Sequence, residues 1–118
     1  MKKLSALRGA SMCLNNEEDI QKQVVDLYDM LLQKNDLKED DIVSIIFSVT
    51  SDITAKNPAT ALRRAGRATK AALFVCQEAN FPNQLERVIR VLVHCYLKKE
   101  PAHLFRNGAE TLRPDLNK

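Results

Sequence analysis

The run Val88-Ile89-Arg90-Val91-Leu92-Val93 restricts this chain more than any other six residues in it. Five are apolar and four of those are β-branched, so an extended strand here is apolar on both faces. Such a strand belongs inside a sheet. Arg90 stands in its middle, and burying an unpaired guanidinium costs several kcal/mol. No acidic residue lies in the run, and Glu86, just before it, reaches Arg90 only by an unfavourable bend. The compensating anion is therefore a carboxylate from elsewhere in the fold or a ligand. That alternative decides whether the chain is an enzyme.

The remaining pattern supplies the elements around that strand. Leu4 to Arg8 reads as a first strand ended by Gly9. Asn15 with Glu18 resembles a capping box, so a helix is expected to begin near Asn16, with Glu17, Glu18 and Asp19 favoured in its first turn by the helix dipole. Ile20, Val24, Leu27 and Leu31, widened by Tyr28 and Leu32, form its buried stripe. After the polar connection 34–41, residues 41–50 alternate as a strand. Val43, Ile45, Phe47 and Val49 share one face, and Ile42, Ser44, Ile46 and Ser48 the other. Asn57-Pro58 starts a short helix that Gly66 stops. Strands are expected over 71–76 and 88–96, with a weaker one over 105–112, and Pro82 and Pro101 punctuate the loops.

The order β-α-β-α-β-β-β predicts an α+β fold: a mixed sheet with one long and one short helix on one face. A single helical layer leaves the opposite face to be covered by oligomerisation. At 118 residues the chain is one domain, 1–118.

Composition narrows the function. A net charge of +3 is too small to imply nucleic-acid binding and fits a protein that takes in small anions. The short basic group Arg63, Arg64, Arg67 and Lys70 lacks interleaved aromatics. No stretch approaches the roughly 18 apolar residues that span a bilayer, and no apolar segment follows Met1-Lys2-Lys3 to make a secretory signal. Three cysteines at wide spacing argue for reduced thiols in the cytoplasm. His94 and His103 stand at no metal-ligand spacing from them, so no metal site is expected.

Arginines are the residues left to carry chemistry, because the planar guanidinium fork matches a carboxylate and stays charged. Arg8 precedes Gly9, where a small residue lets a ligand approach the backbone. Arg90 shares a strand face with Val88, Leu92 and His94. A solvated helix face competes with a role for Arg63, Arg64 and Arg67, and a salt bridge with Asp115 competes for Arg113. Glu78 follows a strand end, as either a ligand group or an exposed end residue. Cys76 has no companion base and reads as a buried structural thiol; His94 reads as a packed or hydrogen-bonded histidine. Several arginines, one glutamate and no nucleophile suit charge placement, not covalent work or proton transfer.

Leu7-Arg8-Gly9-Ala10, Pro58-Ala59 with Ala61 and Arg63, Gln77-Glu78, Ile89-Arg90-Val91, Gly108-Ala109 and Leu112-Arg113-Pro114-Asp115-Leu116 occur in that order. Together they resemble the monofunctional, trimeric α/β chorismate mutases of the AroH class. The resemblance implies isomerisation of chorismate to prephenate, in the shikimate route to phenylalanine and tyrosine, without a cofactor. It also implies a homotrimeric pseudo-α/β barrel with active sites between subunits. By position Arg90 would donate to the substrate's ether oxygen and a carboxylate, Arg8 would hold a carboxylate, and Glu78 would accept from the ring hydroxyl. Arg63 would help bind the other carboxylate, with Leu112 and Arg113 at the edge. Ala59, Thr60, Phe74, Val75 and Cys76 would complete the lining. Phe105 stands where the family usually has a tyrosine, Val75 replaces a common cysteine, Thr60 a frequent lysine and Asn57 a frequent aromatic. Two other readings compete: an imine or enamine deaminase of similar trimeric fold, and a non-catalytic trimeric ligand-binding protein.

Overall fold

A computed structural model describes residues 1–116. Its regular elements are β1 (Lys3–Met12), α1 (Glu17–Lys34), β2 (Ile42–Val49), α2 (Pro58–Arg64), β3 (Ala72–Gln77), β4 (Val88–Leu97) and β5 (Leu104–Arg106). The five strands form one sheet in the order β3-β2-β4-β1-β5. β4 runs antiparallel to both β1 and β2, while β2 with β3 and β1 with β5 are parallel. The expected α+β architecture with a mixed sheet is the observed one, and the run Val88–Val93 lies in its central strand, β4.

The sequence stripe of α1 is buried as expected: Ile20, Val24, Leu27, Tyr28 and Leu31 all pack into the core. Its cap lies one residue later than the Asn15–Glu18 box. Asn16 Oδ1 accepts from the Asp19 N–H at 2.7 Å, and Asp19 Oδ2 accepts from Leu14 N–H at 2.6 Å. Asn15 instead reaches the 54–55 loop, accepting from the Thr54 and Ala55 N–H groups. In α2, Asn57 caps and Pro58 takes the first helical position, and the chain leaves through Gly66 at φ +78°. α2 buries Pro58, Ala61 and Leu62 and packs against α1 and β3.

Three expectations change. β1 does not stop at Gly9 but continues to Met12, so Arg8 lies within the strand. A Cβ on Gly9 would stand 3.0 Å from Val91 Cγ1 and 3.2 Å from Leu27 Cδ1; the close approach this glycine permits is that of β4 and α1. In β2, a register shift between Ile42 and Ser44 turns Ile42 into the core and leaves Val43 exposed. The alternation assigned over 41–50 therefore holds only from Ser44 onward. The strand expected over 105–112 is three residues long, because Asn107 and Gly108 both take positive φ and turn the chain into a 3-10 turn at Ala109–Leu112. Pro114–Leu116 forms a further turn.

Both helices lie over one face, where Leu7, Ile45, Phe47, Ile89, Val91 and Val93 meet Ile20, Leu27, Leu31 and Leu62. The opposite face carries Leu4, Arg8, Ile46, Phe74, Arg90, Leu92, His94 and Tyr96, with Leu4 and Phe74 each 65% exposed.

Candidate active site

Arg90 belongs to that uncovered face, and its position there follows from how β4 is registered. Thr50 Oγ1 accepts from Val88 N–H at 3.0 Å and donates to Asp52, whose carboxylate accepts from Arg87 N–H. With the start of β4 so fixed, Arg90 falls opposite Ser48 on β2 and Ala10 on β1. Glu78 extends the β3 ladder by one residue through its N–H to Val49 C=O at 2.9 Å. Its Oε1 accepts from Ser48 Oγ at 2.8 Å and lies 2.6 Å from Arg90 Nε.

The anion that the sequence left open is thus Glu78, a carboxylate of the fold. Nor is the guanidinium buried: the Arg90 side chain is 44% exposed. An ion pair so exposed contributes at most about 1 kcal/mol to stability. Its consequence is geometric. Nε is engaged, and the two terminal nitrogens have no partner among the described residues.

Arg90 borders a cavity of about 330 Å³, shared by Arg8, Ser48, Phe105 and Arg113 over an apolar floor of Ile46 and Leu92. The Arg8 guanidinium has no partner among the described residues, while its backbone N–H donates to His103 Nδ1 at 3.0 Å. Arg113 holds Asp115 through Nε and Nη2, at 3.1 and 2.8 Å, and still borders the cavity. Phe105 is buried with Ala10, Val88 and Ala109, and Leu112 packs against this cluster. Three guanidiniums around an apolar floor, one of them paired behind with the Glu78 carboxylate, suit a small molecule bearing more than one carboxylate.

Other residues singled out in the sequence lie apart from this cavity. Ala59, Thr60 and Arg63 ride on α2, on the other side of the sheet, and Arg63 Nη2 donates to Ala71 C=O at 3.3 Å. Phe74 and Cys76 stand on edge strand β3, on the uncovered face, and Val75 packs against the core. Cys76 is exposed, not buried as expected; a residue on an edge strand has no neighbour on its outer side. Its Sγ meets only Phe47 C=O, at 3.5 Å. Cys13 and Cys95 are buried free thiols, each pushed up to about 11, first by burial. Arg64 is exposed, whereas Arg67, in the loop after α2, binds Asp29 of α1 in a two-point pair. His94 is half-buried on the uncovered face, its Nδ1 3.1 Å from Ser44 Oγ.

Two neighbours of the site were not singled out by sequence reading. Ser48 was legible in principle, since a serine alternating with isoleucines on β2 marks a face that is not wholly core. His103 had no such signal, because its partner is a backbone group 95 residues away.

A family model described as chorismate mutase type I matches residues 4–116. Chorismate mutase AroH of Bacillus subtilis (strain 168) is 26% identical over 118 residues, spanning 97% of this chain and 93% of that protein. Chorismate mutase AroH of Thermus thermophilus is 31% identical, spanning 93% of this chain and 96% of that protein. A solved structure of chorismate mutase from Clostridium thermocellum superposes with a TM-score of 0.85 at 39% identity, covering 91% of this chain and 98% of that one. The uncovered sheet face with its arginine-rimmed cavity is thus set in a fold shared along nearly its whole length, and the chain belongs to the chorismate mutase type I family.

Proposed function

We propose that the cavity between Arg8, Arg90 and Arg113 is where this chain converts chorismate to prephenate. The activity, an isomerase reaction, comes with the family; the residue roles are our reading. In the rearrangement one C–O bond breaks as one C–C bond forms, with no proton transferred and no covalent intermediate. What the protein has to supply is a compact substrate geometry, which is an orientation task, and a cation where negative charge grows on the ether oxygen. Arg90 is that cation in our assignment. Arg8 holds a carboxylate, Glu78 accepts from the ring hydroxyl through Oε2, and Arg113 with Leu112 closes the edge.

One observation carries this assignment: Arg90 is braced at Nε by Glu78 and lines the cavity. A guanidinium preset in this way stabilises the transition state without reorganising, an effect on the order of 10² to 10³ in rate. The direct test mixes purified protein with chorismate and follows the loss of its ultraviolet absorbance. Arg90→Ala should lose about 10²-fold or more of kcat with its thermal unfolding little changed, because the pair it breaks is half exposed. Normal turnover by that variant would sink the role given to Arg90.

Assembly belongs to the same proposal. Ala59, Thr60, Arg63, Phe74, Val75 and Cys76 complete a site only if a second copy brings them to the cavity of the first, as in a homotrimer. The exposed apolar residues Leu4 and Phe74 on the uncovered face support such an assembly. Among the described residues no helix is long and apolar enough to cross a membrane, and the free thiols suit a reducing compartment, the cytoplasm, as its place of work.

A further inference from the structure

We infer that His103 is a positioning residue for Arg8: its imidazole takes a place in the sheet ladder that a backbone carbonyl would otherwise fill, and so sets where the Arg8 guanidinium stands. The inference rests on the reading of Arg8 as a carboxylate-binding residue.

The geometry begins with a gap. β1 pairs with β5 from Gly9, opposite Leu104, and the ladder runs only to Ser11. Arg8 lies one residue before that start, so no β5 carbonyl is registered with its N–H. His103 Nδ1 accepts that N–H at 3.0 Å. An unpaired strand N–H beside the site would be costly where water is excluded.

The imidazole is itself held from behind by the end of α1. Asn35, buried within the fold, accepts from Ala102 N–H at 2.7 Å and donates to Ala102 C=O at 2.8 Å. Lys34 Nζ donates to His103 C=O at 2.7 Å. The backbone on either side of the ring is therefore tied to a helix end, and the ring transmits that position to β1. The same segment leads through Leu104 into Phe105, so it fixes Arg8 and Phe105, both lining the cavity, together.

Accepting at Nδ1 requires the neutral ring, with its proton on Nε2. Protonation would set an N–H against the Arg8 N–H. The charged groups facing His103 are Arg8 from β1, Arg113 beyond the Ala109–Leu112 turn, and Lys34 from α1, all cationic; burial and these cations hold its pKa below the usual 6.5. Because the folded value is lowered, the native protein binds fewer protons than the unfolded chain as pH falls through 6.5. The clamp is intact above that pH and is lost as pH falls through the lowered folded value.

Three variants test it: His103→Ala, His103→Asn and Arg8→Ala, with KM and kcat for chorismate measured across acid to neutral pH. Asparagine puts its Oδ1 where Nδ1 stands, so it keeps the acceptor and cannot titrate. Loss of one hydrogen bond predicts a KM raised roughly three- to tenfold in His103→Ala, with kcat altered less. The unsubstituted protein should show a rise in KM in acid, and its absence would overturn the inference; His103→Asn should restore the neutral-pH KM and remove that rise. A His103→Asn protein that keeps the same acid rise overturns the inference. So does unchanged KM in His103→Ala beside raised KM in Arg8→Ala. Unchanged KM in Arg8→Ala would instead overturn the substrate-binding role of Arg8.

Discussion

At the scale of single residues, the site depends on which polar atoms are already engaged. Glu78 Oε1 takes Ser48 and Arg90 together, which leaves Oε2 as the oxygen available to a ligand hydroxyl. Phe105 is the informative departure from the family's usual residue. It borders the cavity and is otherwise buried among Ala10, Val88 and Ala109, so the apolar ring is well accommodated but offers no hydroxyl. Phe105→Tyr should therefore lower KM for chorismate by about ten- to a hundredfold, the span of one hydrogen bond to a charged acceptor, and raise kcat less. Steady-state kinetics decide it, and an unchanged KM would mean that the missing hydroxyl was unimportant. Arg8, Glu78 and Arg90 were all legible from sequence because each interrupts or ends an apolar strand. The anion for Arg90 stayed open in the sequence for a physical reason: Glu78 is 12 residues distant in sequence and becomes its neighbour only through the parallel β2–β3 pairing.

At the scale of elements, periodicity was readable where one face is buried along its whole length, as in α1. It failed where the backbone leaves its regular path. The β2 bulge is invisible in 42–49 because isoleucine and valine suit either face. The end of β5 is equally hidden, since Phe105-Arg106-Asn107-Gly108 reads as extended until Asn107 and Gly108 take positive φ. Gly108 carries this turn, at φ +97°, and a Cβ there would come 2.5 Å from Met12 Sδ. The Met12 side chain can swing aside, but the backbone strain cannot be relieved so cheaply. Gly108→Ala should cost about 1–2 kcal/mol by denaturant unfolding, and it should raise KM because Leu112 and Arg113 follow the turn. Gly108→Asn, which tolerates the left-handed region better, should recover part of both. Full stability in Gly108→Ala would show that the turn can be remade without positive φ.

At the scale of the whole molecule, the sheet has one face covered by helices and one covered only in part. Burial of the core by α1 and α2 accounts for the first; on the second, Ala10, Val88 and Phe105 are buried with Ala109, while Leu4, Phe74 and Tyr96 stay exposed. Arg63 shows why part of the site was not legible from one chain: α2 holds it on the far side of the sheet from the Arg90 cavity, so no arrangement within a single copy unites them. The proposed homotrimer resolves this by drawing Arg90 from one subunit and Arg63 from the next, which is open to a strict test by mixing. Arg90→Ala and Arg63→Ala chains should each be nearly inactive alone. Refolded together in equal amounts, they form hybrid trimers in which about a quarter of the sites pair an intact Arg90 with an intact Arg63. The mixture should accordingly regain about a quarter of the unsubstituted activity, with mass measurement showing trimers throughout. Activity no greater than the sum of the separate variants would mean that the two arginines do not meet across an interface. Arg63 would then be a residue of the helix surface, and the site would be complete within one copy.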